Sequence, residues 1–179
     1  TYGAGRIALA LLALLHAETP PDDPVVVKAF DELRRRELVD TYSLAVSLMA
    51  LAERYVDPHE AELLRSGKLA APKPRVLSDE DKKLATDWLA RLTKNVDTRL
   101  KPGNRLAFNY VAGPRFDNSL QQYGLLGLYA ASLCQLEISP TTWRAAAAHQ
   151  LDVQCNDNGR QGRADLTSYV ELAAAEAAG

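Results

Sequence analysis

The chain has almost no cysteine, no excess of either charge, and no apolar run long enough to cross a bilayer. Its two cysteines, Cys134 and Cys155, show no framework spacing, which argues against a disulfide scaffold. One reads as a small buried hydrophobe and the other as a surface thiol. Lys and Arg number 21 against 23 Asp and Glu, for a formal net charge of -2, so there is no electrostatic footprint for nucleic acid or an anionic membrane surface. Basic residues cluster only at Arg34, Arg35 and Arg36, closing an amphipathic segment where cations complement the carbonyl end of a helix. The longest apolar run, Ile7 to Leu15, is too short for a membrane span and lacks the basic flank and small-residue cleavage site of a signal peptide. Thr1-Tyr2-Gly3 leads straight into a helical pattern with no initiator Met, which suggests one domain over 1–179 excised from a longer chain.

Alternating apolar and polar runs bounded by hairpin turns are nearly missing, and glycine-rich phosphate signatures are missing too. Tyr2-Gly3-Ala4-Gly5-Arg6 has a Gly-x-Gly, but no strand precedes it and no third glycine follows, so it reads as a helix entry. What is present is a helical period. It predicts helices near 3–17, 24–37, 41–56, 79–94, 119–135, 140–155 and 165–178, with room for a short one over 58–65 before a loop holding Gly67, Pro72 and Pro74. Asp23 before Pro24, Asp40 or Thr41, Ser78 before Asp79-Glu80-Asp81, and Ser139 before Pro140 supply side-chain oxygens for the unpaired amides at four helix starts.

The helices also repeat. Tyr2 to Leu14, Tyr42 to Leu51 and Tyr123 to Ala131 align as Tyr-led segments rich in Ala, Gly, Ser and Leu, with a fainter copy from Tyr169 to Ala175. Between them, Ala29-Phe-Asp-Glu-Leu33, Ala85-Thr-Asp-Trp-Leu89 and Ala147-Ala-His-Gln-Leu151 form a second, amphipathic set. A helix apolar nearly all round is buried on both sides, whereas an amphipathic one keeps a polar stripe in water. The expected fold class is therefore all-α, with helical hairpins in an inner and an outer layer, a partial or small α/α toroid. Each hairpin leaves an apolar face that only its neighbour covers, which is why such units form arrays.

Two segments carry a resemblance. Asp117-Asn118-Ser119-Leu120-Gln121-Gln122-Tyr123-Gly124-Leu125-Leu126-Gly127-Leu128 resembles the Asp-Asn-Ser-x-x-Gln-aromatic stretch of α/α-toroid proteins related to terpene cyclases, squalene-hopene cyclases and protein prenyltransferase β-subunits, in particular an uncharacterised bacterial branch. Gln154-Cys155-Asn156-Asp157-Asn158-Gly159-Arg160 is similar to that family's Gln-x-x-Asp-Gly-Gly-Trp element, with Asn158 for the first Gly and Arg160 for the Trp. The resemblance implies an array of hairpins around an axis; seven helices would give a little over half of the family's closed ring.

The family's catalytic groups do not carry over. Cyclases of this kind protonate an alkene or epoxide with an acid from an Asp-x-Asp-Asp cluster; the nearest string, Asp79-Glu80-Asp81-Lys82, has Lys at the last position and reads as helix-start acids. Prenyltransferases hold zinc with Asp, Cys and His. His149, Asp152 and Cys155 are the nearest set, but at about 100° per residue Cys155 lies roughly 120° from His149, so no metal and no cofactor is expected, and His149 and Asp152 read as a surface pair. His16 and His59 have no nucleophile beside them in the sequence.

The binding residues singled out are Asp117, Asn118, Gln121, Gln122, Tyr123 and Tyr42. The polar ones stand at the head of an inner helix where amides are free; the simpler alternative is that Asn118 or Ser119 caps that helix while Gln122 bonds a loop backbone. The expected function is a noncatalytic binding or structural module, forming a homo-oligomer or docking on neighbouring domains of a longer chain through its open apolar edges. An isoprenoid cyclase or transferase with a cavity lined by Tyr42, Tyr123 and Tyr129, and a generic helical-repeat scaffold, are the alternatives.

Overall fold

The computed structural model describes residues 3–153. They form seven helices: α1 Gly3–His16, α2 Pro24–Arg34, α3 Thr41–Arg54, α4 Glu60–Arg65, α5 Asp79–Leu92, α6 Asn118–Leu133 and α7 Pro140–Val153. No strand occurs among the described residues, only the isolated bridges Val96 with Phe108 and Asp97 with Gly113. The expected helix over 165–178, the Gln154–Arg160 element, Tyr2, Cys155 and Tyr169 lie outside the described residues. No described helix is long and apolar enough to cross a membrane.

Local chemistry sets the helix starts. Asp23 accepts from the Val25 amide at 2.8 Å, Asp40 from Ser43 at 2.9 Å, Ser78 from Asp81 at 3.2 Å and Ser139 from Thr142 at 3.2 Å. Each side chain satisfies an amide that the first helical turn leaves unpaired. α1, α2, α3, α5 and α6 end one to three residues short of the expected positions, most clearly α2, which stops at Arg34 rather than at 37. Leu38 then enters the core, 1% exposed, and its burial requires the chain to leave the helical path.

α3 packs between α1 and α6, α2 packs on α1, and α5 packs on both α3 and α6. The starts of α1, α3 and α6 share one end of the molecule, since a Cβ on Gly5 would meet Ser43 Oγ and the Tyr42 hydroxyl bonds Ser119 at 2.6 Å. α5 runs the opposite way: Tyr55, just past the end of α3, reaches Ser78 and Asp81 at the start of α5. Small residues let the parallel helices approach closely. At Gly127 a Cβ would stand 2.9 Å from both Cα and Cβ of Ala45 on α3.

Burial separates the three small-residue helices. Ten of the fourteen residues of α3 are buried, including Leu44, Leu48 and Leu51 in one core with Leu11, Phe30, Leu92 and Leu128. Each such side chain contributes about 1.5–3 kcal/mol. α1 and α6 depart from the expectation of burial on both sides: Leu9 is 54% exposed and Tyr129 47%. The second face of α1 has no helix packed closely on it among the described residues, and that of α6 meets α7 only across an open groove.

The acids at the start of α5 divide. Asp79 and Glu80 are exposed, as helix-start acids should be. Asp81 corrects the sequence reading: it is 1% exposed and takes hydrogen bonds from Arg34 of α2 at 2.6 Å and from Tyr55 at 2.7 Å, with Arg54 of α3 at 3.6 Å. Arg54 also lies over the Phe30 ring, 4.7 Å from its centroid. One carboxylate thus joins α2, α3 and α5, and the first cation of the Arg34-Arg35-Arg36 triplet serves it.

Candidate functional site

Residues 93–117, between α5 and α6, form a long irregular connection that folds onto the heads of α3 and α6. Its own backbone is paired, Asp97 N–H to Ala107 O at 2.9 Å and Asn109 N–H to Asn95 O at 2.9 Å, which lets Asn95, Asp97, Phe108 and Asn109 be buried without unsatisfied amides. Thr41 anchors it to α3, donating its N–H to Tyr110 O at 3.0 Å and its hydroxyl to Asn109 O at 2.5 Å. Gln121 anchors it to α6. Its Oε1 accepts from Phe108 N–H at 2.8 Å and its Nε2 donates to Leu106 O at 3.1 Å.

The six residues singled out in the sequence are therefore divided among three surroundings. Tyr42 and Tyr123 meet edge to face with centroids 4.8 Å apart, and Tyr42 makes a second edge contact at 5.6 Å with Tyr110, which the sequence reading missed because it lies in the irregular connection. Asp117 joins them through Ser119. Since Ser119 Oγ donates to Asp117, the Tyr42 hydroxyl donates to Ser119, and the three form a relay ending on a carboxylate. Asp117 also accepts from the Ser119 and Leu120 amides at 2.8 and 3.3 Å, so Asp117 is the cap of α6, not Asn118 or Ser119. Asn118 is exposed beside it.

Gln121 and Gln122 exchange the roles the sequence suggested. Gln121 is fully buried and holds loop backbone, so it is closed to a ligand. Gln122 is exposed and faces a groove between α6 and α7. Tyr129 stands in that same groove, away from the Tyr42–Tyr123 pair, so the three tyrosines do not line one cavity. The groove has a volume of about 440 Å³; Leu125, Leu126, Tyr129, Trp143, Ala146 and Ala147 line it, with Gln122 and Gln150 at its edge. Among the described residues its exposed lining is apolar and carries no acid, base or nucleophile.

Charge at the head of α6 suits anchoring rather than acid catalysis. The Ser119 hydroxyl and then the Ser119 and Leu120 amides hold Asp117 below the usual carboxylate range, so at neutral pH it is an ionised acceptor with no proton to give. Among the described residues no group of three or more His, Cys, Asp or Glu is placed to hold a metal ion. Asp152 of the sequence-level zinc set pairs with Arg105 of the irregular connection.

His149 corrects the sequence reading of a surface histidine. It is 3% exposed, sits edge-on to Phe116 with centroids 4.5 Å apart, and its Nε2 has no hydrogen-bond partner among the described residues. Burial lowers its pKa below the ordinary 6.5, against the pull of Asp152 and Asp97 and with the help of Arg105. The folded protein thus binds this proton less readily than the unfolded chain. Stability is full above the ordinary value and is lost as pH falls through the folded one. Urea midpoints measured between about pH 5 and 7 should fall toward acid in the wild type and fall less steeply in His149→Phe; parallel profiles would contradict the assignment.

Cys134, the cap residue of α6, is the expected buried thiol, 2% exposed. Burial raises its pKa to about 11, which leaves almost no thiolate at neutral pH. Iodoacetamide should label the Cys134 peptide only after denaturation, a result read by peptide mass spectrometry. Rapid labelling of the native protein would show that the end of α6 opens.

Comparison of the chain with protein-family models, with curated proteins and with solved structures finds no match.

Proposed function

We propose that this chain is a noncatalytic binding or structural module with the hairpin arrangement of a partial α/α toroid. What supports the arrangement is helix direction: α1, α3 and α6 start at one end and lie side by side, with α2 and α5 packed behind them. Small residues at the seam between α3 and α6 are what close parallel packing requires.

The observation that carries the functional reading is the apolar surface on both flanks, Leu9 on α1 and Leu126 and Tyr129 on α6, which an isolated array would leave in water. A neighbouring repeat, a second copy or an adjoining domain covers such a flank. Chemistry at the site weighs the same way. Asp81 is committed to Arg34 and Tyr55 and Asp117 to its cap, so neither is the free acid that an isoprenoid cyclase needs.

Light scattering for oligomeric state, with native mass spectrometry after addition of farnesyl or geranylgeranyl diphosphate and zinc, tests the proposal. A stable assembly that retains neither isoprenoid nor metal is the expected result. A stoichiometric complex with either would replace it with the cyclase or transferase reading.

A further inference from the structure

α7 is held unevenly along its length. Among the described residues it packs closely on none of the other helices. Its start is fixed: Leu136 and Ile138 just before it and Trp143 in its first turn pack against the core, and Gln135 Nε2 donates to Arg75 O at 3.0 Å. Beyond Arg144, the hydrogen bond, ion pair and ring contact that leave the helix among the described residues all go to the irregular connection. Leu106 N–H donates to Ala145 O at 3.0 Å, Arg105 pairs with Asp152, and Phe116 meets His149 edge to face. We propose that α7 is a strap hinged at its start and latched at its far end by neutral His149, so that protonation of that imidazole frees the far end and opens the α6–α7 groove. The inference rests on how α7 is held and is independent of the functional reading above.

Burial makes His149 the part of the latch that can change state. Its side chain is 3% exposed and its Nε2 has no hydrogen-bond partner among the described residues, which a neutral ring against Phe116 tolerates. A protonated ring donates from both nitrogens, and a buried cationic N–H without an acceptor is costly. The charged groups around it do not offset that cost. Asp97 of the connection is taken by Arg99, whose Nε and Nη2 donate to it at 2.9 and 2.5 Å. Asp152, on α7 itself, is taken by Arg105, and Arg105 adds a cation that opposes a second one on the ring. The Arg105–Asp152 pair cannot hold the far end alone, because its side chains are 38% and 54% exposed and exposed pairs contribute little. Gln150, next to His149 on α7, stands at the edge of the groove with Gln122 of α6, so the groove opens at the end that the latch controls.

Native-state hydrogen exchange on the full chain, corrected for intrinsic rates, tests this. Amides of α7 beyond Ala145 should open at least tenfold more often than core amides of α3, and with a weaker response to low urea, as a local opening does. Their opening constant should rise about tenfold per pH unit as pH falls from the ordinary histidine value of 6.5 toward the folded one. In His149→Phe and in His149→Leu, two apolar fillings of the same site, that rise should vanish; either variant serves if the other fails to fold. Equal opening constants in α7 and α3 would make the transition global unfolding and overturn the proposal. So would a wild-type α7 opening that ignores pH, or the same rise in a variant without His149.

Discussion

Replacing Glu60 by glutamine should lower the stability of the protein by about 3 kcal/mol, the scale on which removal of one charge strands its partner in a buried ion pair. Glu60 and Arg75 are 3% and 5% exposed and meet bidentately, Arg75 Nη1 to Oε2 at 2.6 Å and Nη2 to Oε1 at 2.7 Å. Glu60 also accepts from the Lys73 amide at 3.0 Å. On its other side the Arg75 backbone donates to Leu133 O at 2.7 Å and accepts from Gln135 Nε2 at 3.0 Å. The pair therefore clamps α4, the loop before α5 and the end of α6 to one another. Glutamine keeps the shape and loses the charge, leaving a guanidinium whose Nε already lacks a partner among the described residues.

The pair's pH dependence follows from the same geometry. The Arg75 hydrogen bonds hold the Glu60 carboxyl below its usual range, so its contribution is present above the ordinary carboxylate value of about 4.3 and is lost as pH falls through the folded one. Urea denaturation at neutral pH should show the lower midpoint with an unchanged slope. The double variant Glu60→Leu with Arg75→Met should recover much of the loss, since two matched apolar groups strand no charge. A single variant as stable as the wild type would mean that water reaches the pair.

Gly124→Ala should cost about 2–3 kcal/mol, at the upper end of what overfilling a packed site does. A Cβ there would lie 2.2 Å from Cδ2 and 2.4 Å from Cγ of Phe108, and that ring is fully buried. It has little freedom to withdraw. Its own amide is held by Gln121 Oε1, and its carbonyl accepts from the Asp117 amide at 3.4 Å, so the clash displaces the whole connection from the head of α6. Combining Gly124→Ala with Phe108→Leu should restore part of the loss, giving a coupling that two independent sites would not show. Thermal or urea unfolding of the four proteins checks it. Strictly additive effects would mean that the ring and the added methyl do not meet.

The same corner shows where reading the sequence stops. The Asp-Asn-Ser-x-x-Gln stretch was visible as a polar helix head, and one of its residues does bond loop backbone. Which one depends on residues 106–108, thirteen or more positions away, because only their placement makes Gln121 the buried clamp and turns Gln122 toward α7. Tyr42 and Tyr123 were visible as repeat positions, and their contact follows from parallel helices in register. Tyr110, Asp81 and His149 had no comparable signal: an aromatic in a loop gives no hint of its contact with Tyr42, and an acid in a first turn and a histidine on a helix look like surface residues until a neighbouring element covers them.

The sequence by itself determined the helices, their starts and the small-residue faces that pack closely, because period, capping and side-chain volume act within a few residues along the chain. The tertiary structure decided the course of residues 93–117, the burial of Asp81, Glu60, Arg75 and His149, and the exposure of one face of α1 and of α6. Each of these depends on a partner distant in sequence. A polar group is buried where a second element brings it a hydrogen bond or a charge, and an apolar face is exposed where none of the described elements packs on it.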